Sequence, residues 1–151
     1  MQQTVFNQKL PLVIGGDHAG FDYKDLVKKA LTKAGWTIED KGTHNTDSTD
    51  YPDYAHPVSA MVDNGSASVG ILICGSGNGV CMTANKHQNV RAALCWNDEL
   101  TELARLHNNA NILCIPARFV STDIALSMVD KFLSTAFEGG RHERRVSKIN
   151  L

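Results

Sequence analysis

The sequence predicts an α/β fold: a five-stranded parallel sheet with helices on both faces. Three observations predict it. Short, almost wholly apolar runs recur along the chain, at Leu12–Ile14, Trp36–Ile38, Val69–Cys74, Arg91–Cys95 and Asn111–Ile115. Segments of helical spacing stand between them. The clearest strand runs end in Gly or Pro, as at Gly15, Gly75 and Pro116. A strand buried on both faces reads as a continuous apolar run rather than an alternating one. Strands that alternate with helices indicate parallel pairing, and right-handed crossovers then distribute the helices over both faces.

Residues 1–10 are polar and aperiodic, which marks them as a loose N-terminal tail; residues 11–151 form a single domain in this reading. Leu12–Ile14 is the first strand, closed by Gly15-Gly16-Asp17-His18. A helix follows over 21–33, with Phe21, Leu26, Val27, Ala30 and Leu31 on one face and Gly35 as its stop. Trp36–Ile38 is the second strand, and 41–50 is turn-rich. A helix over 54–64 ends at Gly65. Val69–Cys74 is the third strand, followed by Gly75-Ser76-Gly77-Asn78-Gly79 and a helix from Val80 to about Lys86. Arg91–Cys95 is the fourth strand. A helix over 97–107 takes Asn97 or Asp98 as its N-cap. Asn111–Ile115 is the fifth strand, a long helix covers 120–132, and a last short helix starts near Glu138-Gly139-Gly140. The sum is a three-layer α/β/α, Rossmann-like arrangement. Sites in such sheets form outside the carboxyl ends of the strands, so the strand ends carry the functional interest.

The 151 residues hold 15 Lys+Arg against 16 Asp+Glu, a formal charge of −1. No global field favours nucleic acid or an anionic membrane. No apolar run approaches the ~20 residues of a spanning helix, and MQQTVFNQK has no secretory character. Four cysteines without a C-x-x-C pair suit a reducing cytoplasm better than a disulfide framework. These features leave a small-molecule site as the expected business of the chain.

The strand–turn–helix around Cys74 is the strongest local feature. Gly75, Gly77 and Gly79 allow a tight turn that exposes successive N–H groups at a helix start, a setting for an anion or an oxyanion. The run is neither a Walker A loop nor G-x-G-x-x-G, so neither nucleotide motif is met. Cys74 lies just before it. N–H donors beside a thiol favour thiolate, so Cys74 is either a general base or another small core residue; Cys81, Cys95 and Cys114 read as structural. Asp17 and His18 follow the first strand, as a cap with a surface imidazole or as cleft residues. His107 and Asn108 end a helix, where a histidine also serves as a dipole partner. Arg141 and Arg145 stand one helical turn apart, and with Arg118 they make either a solvated basic face or a phosphate clamp. The sequence offers no close metal-ligand pair, and no metal site is expected.

Seven segments in order carry a family resemblance. They are Gly16-Asp17-His18-Ala19-Gly20-Phe21, Lys41-Gly42-Thr43, Asp50-Tyr51-Pro52-Asp53-Tyr54-Ala55, Ile73 to Gly79, Ala84-Asn85-Lys86, His107 to Asn111, and Phe137 to His142 with Arg145. The set resembles the type B ribose-5-phosphate isomerase family, which includes galactose-6-phosphate and allose-6-phosphate isomerases, and it spans about residues 11–149. The resemblance implies an aldose–ketose isomerase of the pentose phosphate pathway, working through a 1,2-enediolate without metal or organic cofactor. It implies that Cys74 is the general base and that His107 opens the sugar ring. Ser76 matches a hydroxyl that supports the base, and Gly75 to Gly79, with Gly77 and Asn78 between, match the loop that holds the enediolate oxygen. His18, Arg118, Arg141 and Arg145 match phosphate-gathering positions. Asp17, Tyr51 and Asn108 match positions along the sugar. One branch of the family replaces the cysteine by a glutamate after the Gly-x-Gly-x-Gly run; here Val80 fills that place, and Asn78 is the one departure toward that branch.

The resemblance further implies a homodimer or dimer of dimers with active sites at the subunit interface. The alternative substrates are allose 6-phosphate and galactose 6-phosphate. A non-catalytic phosphate-binding module and a thiol redox sensor are the competing classes.

Overall fold

The computed structural model describes residues 1–150. Five strands, β1 (Leu12–Gly16), β2 (Ile38–Asp40), β3 (Val69–Cys74), β4 (Ala92–Leu94) and β5 (Ile112–Pro116), form one sheet in the order β2-β1-β3-β5-β4. Every pairing is parallel. Six helices connect and flank them: α1 (Phe21–Lys33), α2 (Pro52–Asp63), α3 (Asn78–Ala84), α4 (Asp98–Asn108), α5 (Thr122–Ser134) and α6 (Arg141–Val146). A single 3-10 turn, His18–Gly20, joins β1 to α1.

Two apolar layers hold the sheet, and the period-2 alternation of the strands divides residues between them. Leu12, Ile14, Ile71, Ile73, Leu113 and Ile115 meet α1 and α5 through Val27, Leu31, Met128 and Phe132, with Ala104 of α4 in the same cluster. Val13, Leu72, Cys74, Ile112 and Cys114 meet α2 and α3 through Ala55, Val58, Val62, Val80 and Ala84. The three-layer expectation therefore holds, with α1, α4 and α5 on one face and α2 and α3 on the other.

Several boundaries differ from the sequence reading, each for a local reason. β2 starts at Ile38, not Trp36. Trp36 instead closes α1: its N–H donates to Leu31 O at 3.1 Å and that of Gly35, at φ +87°, to Thr32 O at 3.0 Å, the paired bonds of a Schellman cap. α2 starts at Pro52, whose ring suits the first helical position. α3 starts at Asn78 inside the glycine run, β4 is trimmed to three residues, and α6 begins after the two glycines rather than on them.

Residues 1–10 contain no helix or strand, yet part of this segment is tied to α5. The Val5 N–H and the Thr4 hydroxyl donate to Leu133 O at 2.8 and 2.9 Å. The Phe6 ring stacks on Phe132, with centroids 6.0 Å apart. A stretch that composition marks as loose thus has a docking point, made by Thr4, Val5 and the Phe6 ring.

At the β2 edge, the Lys24 and Lys28 ammonium groups meet Asp40 at 2.6 and 2.5 Å. Burial opposes ionisation of Asp40, but these bonds and the Gly42 N–H outweigh it and hold its carboxyl below the usual value. Asp40 also fixes the start of the 42–50 loop, which carries Thr49 toward the site.

Candidate active site

The sheet reverses its strand order between β1 and β3: β2 lies outside β1, and every later strand lies beyond β3. The carboxyl ends of these two strands are Gly16 and Cys74, whose neighbours diverge and leave a crevice at the switch point. A cavity of about 310 Å³ opens there, lined by Asp17, His18, Ala19, Tyr51, Cys74, Gly75, Ser76, Gly79 and Arg118.

Each side chain has a local reason for its place. Asp17 caps the 3-10 turn, accepting from the N–H groups of Ala19 and Gly20 through Oδ1 at 3.0 and 3.2 Å. The cap and the cleft readings of Asp17 are both met: one oxygen holds the turn and the residue lines the cavity. His18 accepts the Thr49 N–H at its Nδ1, at 3.3 Å. That bond places the ring proton on Nε2, where it is available as a donor.

Cys74 is the last residue of β3 and is 6% exposed. Beyond it the chain turns through Gly77, at φ +74°, a backbone conformation that glycine adopts without steric cost. A side chain at Gly77 would also strike Leu94. At Gly79 an added Cβ would lie 2.5 Å from the Tyr51 ring, so the ring rests directly on the start of α3. The Arg118 guanidinium sits 3.2 Å from where a Cβ of Gly75 would stand. Its backbone N–H donates to Gly75 O at 3.1 Å. Cys74 is thus followed by a glycine-rich turn at a helix start, and its cavity is shared with Gly75, Ser76, Gly79 and the Arg118 guanidinium, a place where loop N–H groups and a cation can meet a developing oxyanion. The Ser76 hydroxyl accepts the Asn78 N–H at 3.4 Å and braces the loop.

Of the remaining cysteines, Cys95 and Cys114 are fully buried in the core, whereas Cys81 is half-buried and its hydrogen bond with Cys114 lowers its pKa. Burial pushes the Cys95 thiol up to about 11 and that of Cys114 well above its ordinary value, so both stay protonated.

The other expected residues lie elsewhere in the chain. Asn78 lines a neighbouring apolar groove with Leu94, Trp96, Pro116 and Phe119. Asn108 faces a hollow with Asn85 and Arg91. Arg141 lines a cavity with Glu138 and His142, and Arg145 lies one turn further along α6. His107 stacks on His142 with centroids 4.1 Å apart and planes 8° from parallel. Glu138 reaches both, its Oε2 3.2 Å from His142 Nε2 and 3.8 Å from His107 Nε2. The sequence reading gave neither Glu138 nor His142 a role. Only the fold joins them to His107, although their i,i+4 spacing on its own suggests a pair. Ligand atoms of the three lie within 4.8 Å of one another. The rings, however, stack face to face, 8° from parallel, and Glu138 Oε2 stands closer to His142 Nε2 than to His107 Nε2. That geometry suits a supported histidine better than a metal centre.

The comparisons agree with this geometry. A family model described as Ribose/Galactose Isomerase matches residues 12–149. The chain belongs to that family. A ribose-5-phosphate isomerase B of Escherichia coli is 40% identical over 138 residues, covering 91% of this chain and 93% of that one. The crystal structure of a ribose 5-phosphate isomerase from Thermotoga maritima superposes with a TM-score of 0.91 at 47% identity, covering 93% and 97% of the two chains. A ribose-5-phosphate isomerase B from Mycoplasma genitalium, solved with bound ribulose-5-phosphate, gives 0.91 at 42% identity, covering 95% of each. The five-stranded Rossmann-like sheet is the architecture this chain shares with its isomerase relatives. Among the described residues no helix is long and apolar enough to cross a membrane.

Proposed function

We propose that this chain is an aldose–ketose isomerase that interconverts D-ribose 5-phosphate and D-ribulose 5-phosphate. The observation that carries the reading is Cys74 at the switch-point crevice, beside the glycine loop and Arg118, in a chain of the ribose/galactose isomerase family. In the open-chain aldose the Cys74 thiolate takes the C2 proton and returns it to C1, while the 2-hydroxyl proton passes to the C1 oxygen and C2 becomes the carbonyl. The C1 oxygen carries the charge of the enediolate between the two transfers, facing N–H groups of the Gly75–Gly79 loop. His18 and Arg118, with Arg141 and Arg145, grip the phosphate and so orient the reacting carbons from a distance. Asp17, Tyr51 and Asn108 line the sugar. His107 opens the furanose by protonating the ring oxygen as the anomeric hydroxyl loses its proton.

The working unit in this reading is a homodimer with shared sites. Its support is topological. β3 and β5 run parallel, with Gly70 opposite Ile112 and Cys74 opposite Pro116. Cys74 therefore ends its strand at one edge of the sheet, and His107 precedes the start of β5 at the other. Exposed Trp96 and Phe119 beside the Ser76–Asn78 groove offer apolar surface for a second copy. The assignment to the cytoplasm rests on free thiols and the class of reaction.

The test is direct. Purified protein with ribose 5-phosphate in EDTA should yield ribulose 5-phosphate, with higher kcat/KM than for allose 6-phosphate or galactose 6-phosphate. Binding of all three without turnover of any would replace the isomerase by a phosphate-binding module.

A further inference from the structure

Arg105 lies in the last turn of α4 and is 4% exposed. A buried guanidinium needs partners for its donors and for its two faces. Its Nε donates to Thr135 O at 3.1 Å. Its Nη1 donates to Asn109 Oδ1 at 3.0 Å and to Ala110 O. The Phe6 ring centroid is 4.6 Å from its Cζ and that of Phe132 is 5.7 Å away. Burial, with Arg91 as the second cause, lowers its pKa to about 10, so it remains charged at neutral pH.

These partners come from three stretches of chain. Asn109 and Ala110 form the turn after α4, with Asn109 in the left-handed region at φ 47°. Thr135 ends α5 and begins the run toward α6. Phe6 belongs to the N-terminal segment, outside the residues 12–149 matched by the family model. His107 follows Arg105 by two residues, and the Glu138 N–H donates to Leu106 O at 3.0 Å. The guanidinium is therefore the joint between the last turn of α4, which carries His107, and the 135–140 loop, which carries Glu138 and leads to His142 on α6.

We infer that Arg105 is a positioning residue for His107, and that Phe6 extends this support into the N-terminal segment, which acts as a strap. The inference rests on the ring-opening reading of His107. Phe6 and Phe132 shield the guanidinium from water, which otherwise competes for its carbonyl partners. Loss of that cover loosens the last turn of α4, and small misplacements of a reacting group reduce rate steeply.

Ring opening can be read apart from proton transfer. Ribose 5-phosphate closes a furanose through its 4-hydroxyl. In ribulose 5-phosphate the hydroxyl that would close a furanose on C2 carries the phosphate, so the ketose is an open chain. Exchange of solvent deuterium into C1 of ribulose 5-phosphate reports the Cys74 step alone, whereas turnover of ribose 5-phosphate also reports ring opening.

Phe6→Ala in the full chain, at a half-buried site, should lower kcat for ribose 5-phosphate about three- to tenfold and leave the exchange rate unchanged. Phe6→Tyr should restore kcat. Arg105→Lys should act in the same direction and more strongly. Equal loss of turnover and exchange in Phe6→Ala, or loss of neither, overturns the inference. His107→Ala separates the two levels of the argument. If it keeps ribose 5-phosphate turnover, the ring-opening reading fails. If it loses turnover while Phe6→Ala does not, that reading stands and the strap fails.

Discussion

Cys74 and His107 stand at opposite edges of the parallel sheet. Cys74 is the last residue of β3, opposite Pro116 at the end of β5, while His107 lies just before Ile112, the residue opposite Gly70 near the beginning of β3. Strands of this length span roughly 17 Å. The cause is the βαβ connection itself: a helix that leaves the carboxyl edge must return to the amino edge before the next strand can begin. α4 and α5 both do so, and His107, His142 and α6 gather at the edge they return to. In the proposed reading one chain thus presents two half-sites, a base with an oxyanion loop and a histidine with a basic helix.

The first half-site predicts a split in kinetic constants. Cys74→Ala should lower kcat by about 10²–10⁴, the range of a lost general base, with KM for ribose 5-phosphate little changed. The fold should survive, because alanine leaves only a small void in the layer shared with Val80 and Cys114. Near-wild-type turnover would remove Cys74 from the chemistry.

The stacked histidines predict an acid-sensitive stability. Burial, then His107, Arg141 and Arg145, hold His142 below the ordinary histidine value, against the opposing pull of Glu138. Below its usual value of 6.5 the unfolded chain therefore takes up a proton before the folded chain does. The stability is whole above that value and falls as pH drops through it toward the lower folded value. Urea midpoints at pH 7 and pH 5.5 should fall further for the wild type than for His142→Gln. Equal falls would show that His142 titrates alike in both states.

Much of this was legible in the sequence, and the exceptions have physical causes. Leu12–Ile14, Val69–Cys74 and Asn111–Ile115 declare themselves because strands covered on both faces are continuously apolar. Trp36 misleads because an apolar residue after a helix-ending glycine serves the cap as readily as a strand. At the switch point, Asp17, His18, Cys74 and Arg118 are readable as strand ends, since the topology brings such ends together. Tyr51 is not readable this way: its place depends on the bare backbone of Gly79 beneath its ring. The Glu138 and His142 contacts with His107 depend on how α4 and the 135–140 loop lie together, and Arg105 with Phe6 on a tail that composition marks as free. Local pattern carries none of these long-range meetings.

The basic helix predicts a binding defect rather than a chemical one. Arg141 and Arg145 are both exposed and one turn apart on α6. A charge-assisted contact to a phosphate oxygen accounts for a rise in KM of about 10- to 100-fold in Arg141→Ala, with kcat changed far less. The measurement is initial rate against ribose 5-phosphate at low salt, where exposed charges act most strongly. An unchanged KM would take Arg141 out of the clamp.

Shared sites make the strongest prediction, because it concerns two inactive proteins. In the proposed two-fold dimer each site would draw Cys74 from one chain and His107 from the other. A Cys74→Ala chain paired with a His107→Ala chain then holds one site with both defects and one with neither. Random re-pairing of equal amounts yields half heterodimers, so about one quarter of the wild-type activity should return. Re-pairing Cys74→Ala with the Cys74→Ala/His107→Ala double variant should return nothing, since no intact Cys74 is present. If the first mixture stays at the sum of its inactive parents after exchange of subunits is verified, each site is built within one chain. The separation of Cys74 from His107 across the sheet would then require a different partner for the thiol.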